Sequence, residues 1–205
     1  MLKELFESSF YCTYPAKGDV VVNLTEEKYT SAFSLRDEKA CLGCHSVCSA
    51  DDSLRAQLNI STDSAVNVIN FDDVFAYMKE AVGEHCDFLL EDEHKVSLIE
   101  MTCSNTDNIG RKHQKAKGQL LNTLNILYAN PPLKQHLDAK NVKYAVFSWK
   151  DTTISNPEID SVDKDMMSMV LMSDATYSPD NYSEFYDGFY YKEIRFPDAL
   201  NWTDL

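Results

Sequence analysis

Apolar and polar positions alternate in AVNVINF, residues 65–71, and that period of two predicts a β-strand. In the following DDVFAYMKEAV, Val74, Phe75, Met78 and Val82 recur at helical spacing, and Asp72 or Asp73 is placed to cap the start. Residues 86–104, CDFLLEDEHKVSLIEMTCS, hold two apolar runs joined by EDEHK, a stretch too charged to be buried between them, so the pair reads as a hairpin. From Gly110 the spacing predicts a helix to Tyr128, with Leu120, Leu121, Leu124, Leu127 and Tyr128 on one apolar face and Pro131 and Pro132 as the stop. A short helix over residues 133–138 is expected next, and then KYAVFSW, residues 143–149, apolar enough for a central strand. Residues 2–10 read as a short helix, and DVVVNLT (19–25), MSMVLMS (167–173) and YYKEIRF (190–196) as strands, while residues 28–61 sustain no period.

The order strand, helix, hairpin, helix, strand predicts an α/β fold, a sheet with helices packed on it. At 205 residues, with no linker-like stretch, the chain is expected to form one domain. No apolar run approaches membrane-spanning length, and MLKELFESSF is acidic where a secretory signal is basic and then apolar, so a cytoplasmic protein without membrane contact is expected. The formal charge of -14 opposes nucleic acid at long range and favours a basic protein partner.

Three of the six cysteines cluster in CLGCHSVC as Cys41, Cys44 and Cys48, with His45 among them. CLGCH has the form of a c-type haem attachment site, but that chemistry requires export. Three thiolates and His45 could also close a tetrahedron around zinc, although structural zinc sites usually draw a second ligand pair from farther along the chain. Reduced thiols, with neither haem nor stoichiometric zinc, are the expectation for a cytosolic chain.

Asp87 opens the first run of the hairpin and Glu100 lies inside the second. Mg²⁺ and Mn²⁺ are held by a few carboxylates, water and substrate phosphate. An aspartate and a glutamate brought to one side of a sheet by neighbouring strands make such a site. The alternatives are structural: Asp87 satisfying backbone donors at a strand start, and Glu100 turned to solvent. The next helix carries Arg111, Lys112, Lys115 and Lys117 with no acidic residue between Asp107 and Asp138. That basic island is either a solvated helix face or a nucleic-acid contact.

CDFLL, SLIEMT and QLLNT together resemble the PD-(D/E)XK nuclease superfamily, in particular its small bacterial and phage members. The resemblance implies a restriction-endonuclease-like fold: a mixed central sheet flanked by helices, with a core at about residues 65–150 and N- and C-terminal elaborations. It also implies Asp87 and Glu100 as ligands of Mg²⁺ or Mn²⁺, and Gln119 facing the site from the helix. The family's catalytic lysine lies two residues after the glutamate, where this chain has Thr102. Relatives that move the lysine to the following helix make Lys115, one turn before Gln119, the expected substitute.

Two functions follow from the likeness. One is a Mg²⁺-dependent nuclease acting on phosphodiesters, in phage defence or mobile-element biology. The other is an inactive relative that binds a partner through its acidic surface, as an immunity or regulatory module.

Overall fold

The computed structural model describes residues 2–18, 22–37, 45–49, 58–80, 83–104, 109–151 and 184–205. It is an α/β protein whose mixed sheet is flanked by helices. The chain begins with α1 (Leu2–Leu5), a π-helical stretch Phe6–Phe10 and α2 (Tyr11–Thr13), and this segment buries Leu2, Phe6 and Phe10 completely. Four short strands follow: β1 (Glu26–Tyr29), β2 (Phe33–Asp37), β3 (His45–Ser49) and β4 (Leu58–Ser61). The alternating segment forms β5 (Val66–Asn70), which runs directly into α3 (Phe71–Ala76).

The two apolar runs form β6 (Phe88–Glu91) and β7 (Lys95–Ser104), paired antiparallel through Phe88↔Ile99 and Leu90↔Ser97. The long helix α4 (Ile109–Tyr128) and α5 (Pro131–Asp138) then return the chain to β8 (Val142–Asp151), which lies parallel to β7. Last come β9 (Glu184–Tyr186), β10 (Phe189–Arg195) and β11 (Ala199–Asn201). Asp187 and Gly188, both at positive φ, turn β9 into β10, as the right-handed twist of a hairpin requires.

Two sheets result among the described residues. The larger has the order β1-β5-β6-β7-β8-β10-β9, and the smaller has the order β11-β4-β2-β3. Strand alternation divides the large sheet's side chains between two cores. Ile69, Leu89, Leu98 and Ala145 pack against Leu120, Leu124 and Leu127 of α4, while Val68, Leu90, Ile99 and Val146 pack against Leu35, Leu58 and Ile60 of the small sheet. β7 is therefore covered on both faces.

Several sequence expectations change. Val22–Thr25 does not pair as a strand; Leu24 is instead buried in the helix-side core, with its N–H donating to Glu7 Oε1. The cap of α3 is Asn70, whose side chain accepts from the Asp72 N–H, in place of Asp72 or Asp73. Pro131 and Pro132 open α5 instead of closing α4, because proline needs no hydrogen-bonded N–H in a first turn, and Asn130 caps them. Leu121 is 40% exposed and lies off the buried face of α4. The candidate strand at residues 167–173 lies outside the described residues.

The turn after β6 is also less exposed than its charges suggest. Glu91 is 3% exposed, with its Oε2 2.7 Å from His136 Nε2 and 2.9 Å from Lys140 Nζ. Burial would raise the Glu91 carboxyl, but hydrogen bonds from His136 and Lys140 outweigh it and hold the group below its usual range. Lys140 also donates to the Asp92 carbonyl oxygen, so α5 and the hairpin turn are joined through one buried charge cluster.

Two stability outcomes follow. Leu124→Ala should cost about 2–5 kcal/mol in chemical denaturation and Leu121→Ala less than about 0.5 kcal/mol; equal costs would mean that α4 docks by another face. For Glu91 the folded-state value is the depressed one. Its contribution is complete above the unfolded glutamate value, about 4.3, and is lost as pH falls through the folded value. Glu91→Gln should cost about 3 kcal/mol at neutral pH, where Lys140 loses its counter-charge, and the deficit should shrink on acidification below about pH 4.

Candidate metal and phosphate site

Asp87 sits immediately before β6, where its N–H donates to the Ile99 carbonyl oxygen at 2.9 Å and its carbonyl oxygen accepts from the Phe71 N–H at 2.9 Å. Extending the Phe88↔Ile99 register by one residue sets Asp87 opposite Glu100. Leu89 and Leu98 belong to the helix-side core, so alternation turns Asp87, Glu100 and Thr102 toward that same side. Each of the three is 6% exposed.

One Asp87 oxygen has a structural duty: Oδ2 accepts the Met101 N–H at 2.6 Å, closing the ladder where β6 has no further residue to offer. Glu100 is buried on the helix side, which corrects the alternative that turned it to solvent. The Cys86 thiol registers both acids. Burial pushes it far above the usual thiol range, a hydrogen bond with Thr123 opposes the rise, and the charges of Glu100 and then Asp87 add to it.

The helix fixes this corner of the sheet through the chain that leads into it. Gln119 Nε2 donates to the His85 carbonyl oxygen at 2.9 Å, Thr123 Oγ1 accepts the Cys86 N–H at 2.9 Å, and Asn122 Nδ2 donates to the Glu84 carbonyl oxygen at 2.8 Å. Gln119 thus holds the entry to Asp87 in place. Lys115, half exposed, pairs through Nζ with Glu84 Oε1 at 2.9 Å. Arg111 and Lys112 are exposed, and the Lys117 ammonium lies 4.5 Å from the centre of the Tyr191 ring.

Four further residues share this side of the sheet. Parallel pairing places Phe147 beside Glu100 and Trp149 beside Thr102, and on the next strand Glu193 beside Phe147 and Arg195 beside Trp149. Glu193 Oε1 accepts from Trp149 Nε1 at 3.0 Å, and its Oε2 is 3.3 Å from His113 Nε2. Burial lowers the His113 pKa, Glu193 opposes the shift and Lys117 adds to it. Sequence reading identified the strand YYKEIRF but not its neighbour; a parallel crossover leaves no local trace of the register that brings Glu193 and Arg195 beside β8.

The cysteine expectations divide. Cys12 and Cys86 are free thiols. Cys103 is disulfide-bonded, which corrects the reading of uniformly reduced thiols. Alternation turns Cys103 to the face opposite Glu100, and sequence spacing does not reveal what meets it there. Cys41 and Cys44 lie outside the described residues, as do the side chains of His45 and Cys48. Among the described residues no group of three or more His, Cys, Asp or Glu side chains could hold a metal ion, and no helix is long and apolar enough to cross a membrane.

Comparison with protein-family models, curated proteins and solved structures finds no match to this chain. The likeness to the nuclease superfamily therefore rests on the sequence motifs alone. Two carboxylates occupy opposed positions of one ladder, one of them oriented by a backbone N–H, and carboxylate oxygens are the donor type that Mg²⁺ and Mn²⁺ take.

Asp87→Ala removes the acceptor of a buried N–H and should cost about 1–3 kcal/mol, whereas Asp87→Asn keeps a carbonyl acceptor and should cost under about 1 kcal/mol. Equal denaturation midpoints for Asp87→Ala and wild type would show that the Met101 contact carries no stability.

Proposed function

We propose that this chain is a metal-dependent nuclease-like protein acting on nucleic-acid phosphodiesters, with a restriction-endonuclease-like core at about residues 65–150. The observation that carries the reading is Asp87 opposite Glu100 on one face of adjacent strands, beneath the helix that follows them. The meander of β5, β6 and β7, with α4 and α5 leading to the parallel β8, supports it.

Asp87 and Glu100 would hold Mg²⁺ or Mn²⁺. The ion would polarise the phosphodiester and acidify a bound water. The hydrolysis forms one bond from water oxygen to phosphorus and breaks one ester P–O bond, and a proton from water ends on the leaving oxygen. Asp87 is held for its part by the Met101 N–H, and Gln119 keeps the preceding backbone from shifting. Arg111, Lys112, Lys115 and Lys117 would meet the nucleic-acid backbone and offset the overall acidity.

The second reading, an inactive relative binding a basic protein partner as an immunity or regulatory module, draws on Thr102 and on Lys115 being engaged by Glu84. Calorimetric titration with Mg²⁺ and Mn²⁺ separates the two. The nuclease reading expects saturable binding to wild type and an affinity lower by on the order of tenfold or more in Glu100→Gln. Equal titrations of wild type and Glu100→Gln would transfer the proposal to the acidic binding module.

A further inference from the structure

The buried charge cluster lies at the end of β6 away from Asp87, and one of its groups is unused. Glu91 Oε2 is 2.7 Å from His136 Nε2 and 2.9 Å from Lys140 Nζ, and the Lys140 ammonium also donates to the Asp92 carbonyl oxygen. The second ring nitrogen of His136, Nδ1, bonds to no described residue and is not sealed from solvent. His136 lines a cleft of about 520 Å³ between the N-terminal helical segment and α5. That volume is in the range of small-molecule sites, roughly 300–1,000 Å³. We infer that His136 presents Nδ1 to this cleft as a fixed hydrogen-bond acceptor, and that the cleft binds a small molecule with an apolar body, an O–H or N–H donor, and a neutral or positive charge.

The acceptor role follows from the partner of the other ring nitrogen. An ionised carboxylate has lone pairs and no hydrogen to give, so its bond with Nε2 requires the hydrogen to sit on Nε2. Burial alone would raise the Glu91 carboxyl, yet the hydrogen bonds from His136 and Lys140 hold it below its usual range and so keep it ionised. In the neutral imidazole the lone pair then belongs to Nδ1. Lys140 already supplies a counter-charge to Glu91, so the cluster is satisfied without a charged ring. The carboxylate also fixes the orientation of the imidazole, as it does behind histidines that bind or transfer at their other nitrogen.

The walls of the cleft set the remaining features of the ligand. Leu5 on one side and Pro132 and Ala139 on the other are apolar. Glu4, an exposed lining residue, makes no ion pair with a described residue, and its carboxylate repels anions and attracts cations. Ser8, on the same wall, commits its hydroxyl hydrogen to the Glu4 carbonyl oxygen at 2.6 Å. It is therefore not engaged with His136 as a nucleophile, and the cleft is arranged to bind, with Nδ1 as its strongest acceptor.

The probes are three phenols that share a ring and hydroxyl and differ in their tails: para-cresol is neutral, tyramine cationic and para-hydroxyphenylacetate anionic. Each is titrated into the full chain at about pH 8, above the ordinary imidazole value of about 6.5, and followed by amide and histidine ring-nitrogen chemical shifts. Before any ligand is added, His136 should give the signature of the Nε2–H tautomer. Para-cresol and tyramine should bind saturably, with a Kd on the order of millimolar for ligands this small, and should move the Nδ1 resonance and the amides of Gln135 and Ala139. Para-hydroxyphenylacetate should bind about tenfold more weakly than tyramine, and Glu4→Lys should reverse that order. His136→Gln, whose Nε2 can still donate to Glu91, should weaken tyramine about tenfold or more. Ala139→Trp changes an exposed position, fills the cleft and leaves the Glu91 cluster in place, so a comparable loss is expected there even if His136→Gln unfolds.

An Nδ1–H tautomer in the free protein would overturn the inference, as would titrations that leave the Gln135 and Ala139 amides unmoved up to tens of millimolar phenol. Tyramine binding that survives Ala139→Trp lies elsewhere and overturns it too. Equal affinities for tyramine and the anionic phenol overturn the charge assigned to the ligand. None of these measurements involves a metal, nucleic acid, Asp87 or Glu100, so every outcome is independent of the metal-site reading.

Discussion

The parallel ladder of β7 and β8, from Lys95↔Val142 to Ser104↔Asp151, sets the conditions for both cores and for the site. With α4 on one side and the small sheet on the other, each of these strands must be apolar on both faces through its centre. Leu98 and Ala145 meet that demand on the helix side, and Ile99 and Val146 on the other. Glu100 begins the departure from it on the helix side, where Thr102 follows. A glutamate is expensive to place there, because removing a carboxylate from water costs several kcal/mol unless compensating interactions are built around it.

The surrounding chemistry is arranged around that cost. Asp87 would add a second negative charge directly across the ladder, and one of its oxygens is tied down by the Met101 N–H. Two like charges on opposed positions disfavour one another. Glu91, by contrast, has acquired both a histidine and a lysine, and its carboxyl is held ionised. The two ends of the hairpin therefore solve the burial of acids differently. At the Glu91 end the compensating charge is internal and the cluster joins α5 to the turn. At the Asp87 end a backbone donor serves instead, the Met101 N–H fixing one Asp87 oxygen across the ladder from Glu100.

How much of this was legible in the sequence follows from the range of each interaction. The hairpin, α4, α5 and the central strand were readable because period and turn chemistry are local, and Leu120, Leu124 and Leu127 mark the buried face of α4 without tertiary information. The acids Asp87 and Glu100 stood out because each sits at or in an apolar run. What was not legible depends on register between distant segments. Glu91 looked like part of a charged turn, since Lys140 lies far along the chain and comes into range only when α5 packs back on the hairpin. The small sheet escaped because β2, β3, β4 and β11 are short, without the length that makes alternation recognisable. Lys115 has the spacing for a site-facing residue, but helical phase alone does not exclude Glu84, which the loop before Cys86 brings within 2.9 Å.

The overall charge of -14 does not weigh equally on every part of the surface. Residues 109–151 and 184–205 contain ten Lys and Arg against seven Asp and Glu, a local excess of +3 in a strongly acidic chain. At physiological ionic strength charges separated by more than about 8 Å are largely screened, so the potential at the carboxyl ends of β7, β8 and β10 is set chiefly by the groups that lie there. Cations in this region are also fixed by aromatic neighbours: Lys117 by Tyr191, Lys150 by Phe196, and Arg195 by Trp149. A cation held against a ring loses less freedom when it binds an anion than one that sweeps through solvent, and the smaller entropy cost leaves more of the Coulomb attraction as affinity. Acidity elsewhere on the protein opposes association with polyanions at long range, while the parallel-strand edge keeps a set of ring-supported cations.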